Sequence, residues 1–463
     1  MKKLPSEKTH NIIKLSVSFS VMLIISVICF IIPLRPTVSL TEQRELASFP
    51  EFSFSSLLSG EYFSDISLWF SDTVPFRDDI MKLNSKIQNF LGTSGALSGF
   101  AEGVQGDAIP TVPNKENITT TPDTTEIITE ATTVEATTAE ITTAPTETTQ
   151  AVTEAVTEST DSSQDFEQLG NLLINGNAAY EYYYFVQDRA DAYISALNTA
   201  ASKFSSKAKI YSTVIPIGMD ITLSDNVRSK LTVSDQKQAI AYMLGSMSPA
   251  ISTFNCFDTL KNHRNEYLYF RTDHHWTGLA AFYAYEIFCQ TKGITPLKLN
   301  DFELMSFDGF LGSFYKDTGS SPALGATPDR VDAYKPPCEY SMLVTDKNGN
   351  TTPMQLIYNA TNSTAHNKYG AFISGDNPLS VITNESLTNG ESCLVIKESY
   401  GNAFVPYLVY HYKTVYVIDY RHYTGSLSSF LIENDVDDII FINNISMTRN
   451  QKLITSLTNF ISN

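Results

Sequence analysis

The sequence predicts a three-layer α/β domain with a mostly parallel sheet, led by one membrane-spanning helix and interrupted by an unstructured insertion. Three features carry this reading: an uncharged apolar run near the N-terminus, a long Thr/Glu-rich tract, and short apolar runs alternating with helical patterns after it.

The apolar run is Leu15 to Leu34 (LSVSFSVMLIISVICFIIPL). At helical rise it is long enough to cross a bilayer core of about 30 Å. Lys2, Lys3, Lys8 and Lys14 precede it and only Arg35 follows closely, which places residues 1–14 in the cytoplasm and the rest of the chain outside. Pro33, Leu34, Arg35 and Pro36 offer no small-x-small cleavage site, so a retained single-pass anchor over 15–34 is expected in place of a removed signal peptide.

The 463 residues carry a formal charge of −18, which disfavours nucleic acid or anionic lipid as the main partner, although much of that charge lies in the Thr/Glu-rich tract. Of five cysteines, Cys29 lies in the apolar run, and Cys256, Cys289, Cys338 and Cys393 are scattered without CxxC or CxH spacing. Neither a metal knuckle nor a disulfide framework is signalled.

Residues 35–105 read as a helical part of the main domain. Two amphipathic helices, Ser55 to Phe70 and Phe76 to Leu91, are separated by Pro75 and are expected to dock on it. Over 106–167 the composition collapses to Thr, Glu, Ala, Val and Pro, too few apolar side chains to offset the entropy of ordering. This is a disordered insertion or stalk-like loop. From 168 to 463 the pattern alternates: KIYSTVIPIG, the helical RSKLTVSDQKQAIAYMLGSM, FNCFDTL, the strand-like YLYF, then the helical WTGLAAFYAYEIFCQTKG. It continues through AFISGD, SCLVIKES, a helix over AFVPYLVYHY, TVYVIDY, DDIIFINN and a last helix near Gln451 to Phe460, giving the βα units of a parallel sheet.

Two of seven histidines stand together in Arg271-Thr272-Asp273-His274-His275-Trp276-Thr277, just before a helix that Thr277 is placed to cap. Trp276, Leu279, Ala280, Tyr283 and Ile287 share that helix's expected buried face. Asp273 to His275 should therefore still be extended, which puts Asp273 and His275 on one side and His274 on the other. A carboxylate there can hold the imidazole Nδ1–H, fix the tautomer and leave Nε2 as a base. A histidine pair that only caps and packs the helix start fits the spacing equally well.

A base needs a nucleophile, and Ser399 follows the buried run Cys393-Leu394-Val395-Ile396 on a strand-to-helix turn, where amide groups can face an oxyanion. Helix capping explains most serines so placed. Tyr400 and Asn402 flank it as candidates for substrate or oxyanion contact. Asn377, in Gly375-Asp376-Asn377, is a second candidate donor, with a plain turn as the competing reading. Arg421, in Asp419-Tyr420-Arg421-His422-Tyr423, can pair with a sugar carboxylate or with a structural carboxylate. The YEYYYF run near Tyr180 suits sugar stacking or core packing.

TDHHWT, with LTEQRELASFPEF, SGEYFSDISLWFSDTVPFRDD, KESYGNAFVPYLVYHY and VIDYRHY, resembles the DHHW family of bacterial envelope proteins over nearly all of the chain outside the anchor and insertion. That family is similar to the alginate O-acetyltransferase branch of SGNH-hydrolase-like proteins. The resemblance implies an SGNH-like domain with a triad of Asp273, His275 and Ser399. Ordinary SGNH hydrolases place Gly-Asp-Ser first and Asp-x-x-His last, whereas here the Asp-His pair precedes the serine, the order of the acetyltransferase-like branch. Glu398 stands where Asp is commoner, tolerable if it braces the turn. His274 has no derived role beyond packing beneath the site or binding substrate.

The implied function is O-acetyl transfer to, or removal from, a cell-envelope or extracellular polysaccharide through an acyl-serine, without a cofactor. Acyl groups would come from a multi-pass membrane-bound O-acyltransferase. A non-catalytic envelope or carbohydrate-binding protein is the alternative. A metal-dependent phosphoesterase is weaker, because no further Asp/His cluster accompanies Asp-His-His.

Overall fold

The computed structural model describes residues 172–463 continuously; before them it describes residues 106–111, short strands at Val38–Ser39, Arg44–Glu45, Ile118–Thr119 and Glu167–Leu169, and scattered positions from 49 to 73. The tail 1–14, the apolar run 15–34 and the helix expected over 76–91 lie outside the described residues. Among the described residues no helix is long and apolar enough to cross a membrane. The chain divides into two compact units, Met1–Leu97 and Ser98–Asn463. In the first, positions 54, 62, 66, 69 and 70 are helical, and Phe49 meets Trp69 edge to face at 4.8 Å.

The second unit is a mixed α/β fold. In chain order its main elements begin with β1 (Leu172–Asn175), β2 (Ala178–Glu181), α1 (Gln187–Phe204), β3 (Lys209–Ile215), α2 (Gln236–Gly245), β4 (Ile251–Phe254) and α3 (Phe257–Asn262). There follow α4 (Gly278–Lys292), β5 (Glu303–Phe310), β6 (Asp329–Lys335), β7 (Tyr340–Thr345), β8 (Thr351–Pro353) and β9 (Leu379–Asn384). Last come β10 (Ser392–Lys397), α5 (Gly401–Leu408), β11 (Thr414–Asp419), α6 (Leu427–Glu433), β12 (Asp438–Asn444) and α7 (Gln451–Ser462).

A nine-stranded sheet runs in the order β8-β7-β9-β11-β10-β12-β3-β4, with Ile118–Thr119 at the far edge. From β11 to that edge all neighbours are parallel, whereas β9, β7 and β8 continue antiparallel. The sheet is thus mostly parallel, as expected, with its antiparallel pairs confined to one side. Helices cover both faces. Tyr211 on β3 packs on Phe288 of α4, while Asn443 on β12, opposite Val214 and so on the other face, reaches Tyr193 of α1. Covering on both sides is why β10 and β12 are almost wholly buried apolar runs.

Three local expectations differ. YLYF is not a strand; only Tyr269 makes an isolated bridge, to Trp276, and an apolar run of this length cannot distinguish a strand from a buried loop. AFIS is not a strand either, because Ile373, Ser374 and Gly375 have φ of 46°, 54° and 89°, a left-handed turn that ends extended pairing. On α4, Leu279 and Tyr283 are half-buried while Ala281, Ala284, Tyr285 and Phe288 are buried, because the helix packs on α5 as well as on the sheet.

The start of the tract read as an insertion is bonded into the domain. The Gln187 amide donates to Asp107 at 2.8 Å, the Asp107 amide donates to Phe185 at 2.9 Å, and Ile109 packs on the core. Residues 120–166 lie outside the described residues.

The antiparallel hairpin β5–β6 anchors the loop that will carry the site. Asp329, buried at its root, accepts from the Thr272 amide (2.7 Å) and hydroxyl (2.6 Å), the Tyr267 hydroxyl (2.5 Å) and the Arg271 amide (3.1 Å). Asp329→Ala strands these donors and is expected to lower stability by on the order of 3 kcal/mol in urea unfolding; an unchanged midpoint would contradict this anchoring role.

Candidate active site

After α3 the chain folds back on itself. The Thr277 amide donates to Leu268 (2.9 Å) and the Phe270 amide to His275 (3.2 Å), while the Thr277 hydroxyl caps α4 by accepting from the Ala280 amide. The loop tip between these bonds presents Asp273, His274 and His275. Asp273 turns back along the chain: its Oδ1 accepts from the His275 amide at 2.9 Å and lies 2.6 Å from His275 Nδ1. The aspartate therefore reaches the imidazole through an Asx-type turn and not through the alternation of an extended segment. His274 consequently is not on the opposite face; its ring centroid lies 3.8 Å from that of His275.

The other carboxylate oxygen of Asp273 accepts from the Ser313 amide at 2.8 Å. This contact needs the glycine before Ser313, since a Cβ on Gly312 would overlap the Asp273 side chain. Burial opposes ionisation of Asp273, yet the charges of His275 and His274, with the hydrogen bonds from His275 and Ser313, hold its carboxyl well below the usual range.

Ser399 lies between β10 and α5, at the carboxyl end of a central parallel strand, where open α/β sheets place ligands. Its Oγ is 2.8 Å from His275 Nε2. Two clamps hold these distant segments together. Trp276 Nε1 donates to the Tyr400 carbonyl at 2.9 Å, and the Tyr400 hydroxyl donates to the His274 carbonyl. Tyr369 stacks on His275 at 3.8 Å and 12°, and its hydroxyl donates to the Ser399 carbonyl at 3.0 Å. Tyr369, Ser313 and Gly312 were not picked out by sequence reasoning, and no local motif marks them.

Glu398 braces the turn. It accepts from the Asn444 amide (2.8 Å) and the Tyr400 amide (3.2 Å), with Ser399 Oγ at 3.3 Å, and burial pushes its carboxyl up.

The remaining candidates divide. Asn402 is buried on the first turn of α5, with Nδ2 donating a hydrogen bond to Asp376 at 2.8 Å. Tyr400 is buried too, and its hydroxyl is engaged with the loop as described. Asn377 is not brought to the serine: its amide nitrogen caps its own turn, donating to the carbonyls of Ile373 (3.2 Å) and Gly375 (3.3 Å). Arg421 is occupied as well, forked onto Asp419 at 2.8 and 2.6 Å and reaching Asp376 at 2.8 Å. The fully buried Lys397 joins this network through Asp419 (2.8 Å) and Asp376 (3.2 Å). Burial opposes the Asp376 charge, but Lys397 and Arg421 outweigh it and hold the carboxyl low.

Among the described residues, potential metal ligands converge at Asp273, His274 and His275 and at Asp376, Asp419 and His422. The first set is engaged in the hydrogen bonds above. In the second, two cations already neutralise both carboxylates.

Because the Asp273 carboxyl is held below its unfolded value, the stability it contributes is complete above about pH 4 and is lost as the pH falls through the depressed folded value. Urea unfolding across the acid range is therefore expected to show a steeper loss of stability below about pH 4 for the native protein than for Asp273→Asn. Equal slopes would show that this carboxyl is not depressed.

A family model described as DHHW protein matches residues 42–418. No curated protein matches the chain. Among solved structures, a DHHW family protein from Eubacterium siraeum DSM 15702 is 23% identical, with 64% of this chain and 98% of that chain covered and a TM-score of 0.57. PatB1 of Bacillus cereus is 20% identical over 60% of this chain and 96% of its own, with a TM-score of 0.51. The same protein with a sulfonyl adduct gives 19%, 63%, 97% and 0.51. At these identities the likeness is one of fold.

Proposed function

The chain belongs to the DHHW protein family, and from that premise we propose that it is a serine-dependent O-acyl, most simply O-acetyl, transferase or esterase of SGNH-hydrolase type. It acts outside the cytoplasm on a cell-envelope or extracellular polysaccharide. One observation carries the reading: the unbroken relay from Ser399 Oγ to His275 Nε2 (2.8 Å) and from His275 Nδ1 to Asp273 (2.6 Å).

The chemistry follows from this order of contacts. Ser399 Oγ attacks the acyl carbonyl carbon while His275 Nε2 takes its proton, and Asp273 fixes the ring with Nδ1–H toward itself. The carbonyl π electrons move to oxygen, and the Ser399 amide, for which no acceptor is found among the described residues, is a candidate donor to that oxyanion. Asn402, on the same turn, is a further candidate donor. Collapse of the tetrahedral species expels the donor's oxygen with the proton held by His275. The acyl-serine then passes its acyl group to a sugar hydroxyl, or to water, with His275 acting again as base. Phenol stacking by Tyr369 and bracing by Glu398 keep the ring and the nucleophile in register.

No free cofactor is needed for this cycle, but acyl groups must be available outside the cytoplasm. A retained N-terminal anchor would keep the site near a multi-pass O-acyltransferase that exports them.

The test is chemical. A serine-directed sulfonyl fluoride is expected to label Ser399 in the native protein and not in His275→Ala, and Ser399→Ala is expected to lower aryl-acetate turnover by at least about 10⁴-fold. Native protein that neither labels nor turns over the ester would overturn the reading. Gly312→Ala, by pushing Asp273 off the ring, is expected to lower kcat/KM on the order of 10²-fold while the far-ultraviolet circular dichroism is retained.

A further inference from the structure

Asp376 is brought to the site by a backbone that few residues tolerate. Ile373, Ser374 and Gly375 all lie in the left-handed region, at φ of 46°, 54° and 89°, and for the β-branched Ile373 that conformation is costly. Three groups tie the turn down. The Ile373 amide and the Ser374 hydroxyl donate to the carbonyls of Leu356 and Gln355, each at 2.7 Å, and Asn377 Nδ2 donates to the carbonyls of Ile373 and Gly375. A strained turn held this firmly fixes the residue it presents next, which is Asp376.

Asp376 meets the first turn of α5, where its Oδ1 accepts from Asn402 Nδ2 at 2.8 Å. The Asn402 amide donates to the Ser399 carbonyl at 3.1 Å, so Asn402 stands one turn on from the nucleophile and on the same face. Asn402 is 1% exposed, and its Oδ1 is buried with no partner among the described residues. The carboxamide is therefore oriented by Asp376 alone. Ion pairs with Lys397 (3.2 Å) and Arg421 (2.8 Å) keep Asp376 a carboxylate, which only accepts. The NH2 end of Asn402 must then face it, because the reversed amide would set oxygen against oxygen. One N–H of Nδ2 is used in this bond, and the other has no acceptor among the described residues.

We propose that Asp376 is a positioning residue for acyl transfer: it holds the Asn402 carboxamide so that the second N–H meets the oxyanion formed at Ser399, while Lys397 and Arg421 offset the Asp376 charge. This role rests on the acyl-serine reading and deepens it, since it explains why Asn402 is presented as a donor and not as an acceptor.

Steady-state aryl-acetate turnover by the full-length protein, with circular dichroism to confirm that each variant is folded, tests this. Asn402→Ala removes the donor and is expected to lower kcat and kcat/KM together by about 10²-fold, since the bond is made in the transition state and not with bound ester. Asp376→Asn keeps the shape but can turn either end of its amide to Asn402, and is expected to lower both constants by about tenfold. Asp376→Glu, a poorer fit that remains an acceptor only, is expected to retain more activity than Asp376→Asn; packing alone would rank them the other way. In the Asn402→Ala background neither Asp376 variant is expected to lower turnover further, whereas a purely structural role would cost the same in both backgrounds. Unchanged turnover in Asn402→Ala, equal losses from the Asp376 variants in both backgrounds, or Asp376→Asn more active than Asp376→Glu would overturn the role. The two readings fail differently: a native protein that labels at Ser399 and turns over ester, with Asp376→Asn equally active, loses only the positioning role, whereas a native protein that does neither loses acyl chemistry and the role with it.

Discussion

Everything at this site depends on one carboxylate that folds back on its own chain. Asp273 accepts three N–H groups, the amide and Nδ1 of His275 and the amide of Ser313, so one side chain sets the loop's shape, the ring's tautomer and the attachment of the loop to the segment after β5. An isolated buried carboxylate would be costly. Here the donors and the neighbouring imidazoles outweigh that cost and hold the carboxyl below its usual range. The constraint extends outward: Gly312 must lack a Cβ for the contact to exist, and Asp329 must hold Thr272 for Asp273 to be presented at all.

The serine arrives by a different route. It stands at the end of β10, a strand flanked on both sides by parallel neighbours, so its position is set by the rigid centre of the sheet. The histidine stands on a loop that no sheet strand carries. Joining a sheet end to a free loop within 2.8 Å requires bonds that cross between them, and these are the Trp276 indole, the Tyr400 hydroxyl and the Tyr369 hydroxyl. All three are aromatic side chains that fill buried volume while their polar ends reach a carbonyl. Packing and site geometry are in this sense one structure, with the core aromatics acting as struts.

What the sequence disclosed follows the range of the interactions. Asp273 and His275 are two residues apart, and Ser399 follows a run of buried apolar residues, so they were legible from local pattern as candidates, while the triad itself came only from the resemblance to the DHHW family. The parallel strands β3, β10, β11 and β12 were legible for the same reason. Strands β7 and β9 alternate between buried and more exposed positions, gave no comparable run, and were missed. Tyr369, Ser313 and Asp329 act through partners 30 to 58 residues away or more, and no periodicity records such pairs. Asn377 and Arg421 had the right chemistry for the roles considered, but nearer partners already hold them: carbonyls of its own turn for one, two carboxylates for the other.

The fate of Arg421 bears on how the site is charged. Lys397 stands two residues before the nucleophile and Arg421 joins it through shared partners, yet both are turned onto Asp376 and Asp419, and Asp376 in turn holds Asn402. Their charge is therefore spent on fixing the first turn of α5 and the approach of β11, not on drawing an anion to the surface. Arg449 is likewise held by Glu181. The arrangement suits chemistry in which negative charge appears only transiently, on the oxyanion, and is met by oriented amides. A fixed cation there would stabilise an anionic ground state as much as the transition state, lowering KM without raising kcat. The internal pairing of Lys397, Arg421 and Arg449 and the reliance on oriented amides are thus two sides of the same electrostatic arrangement.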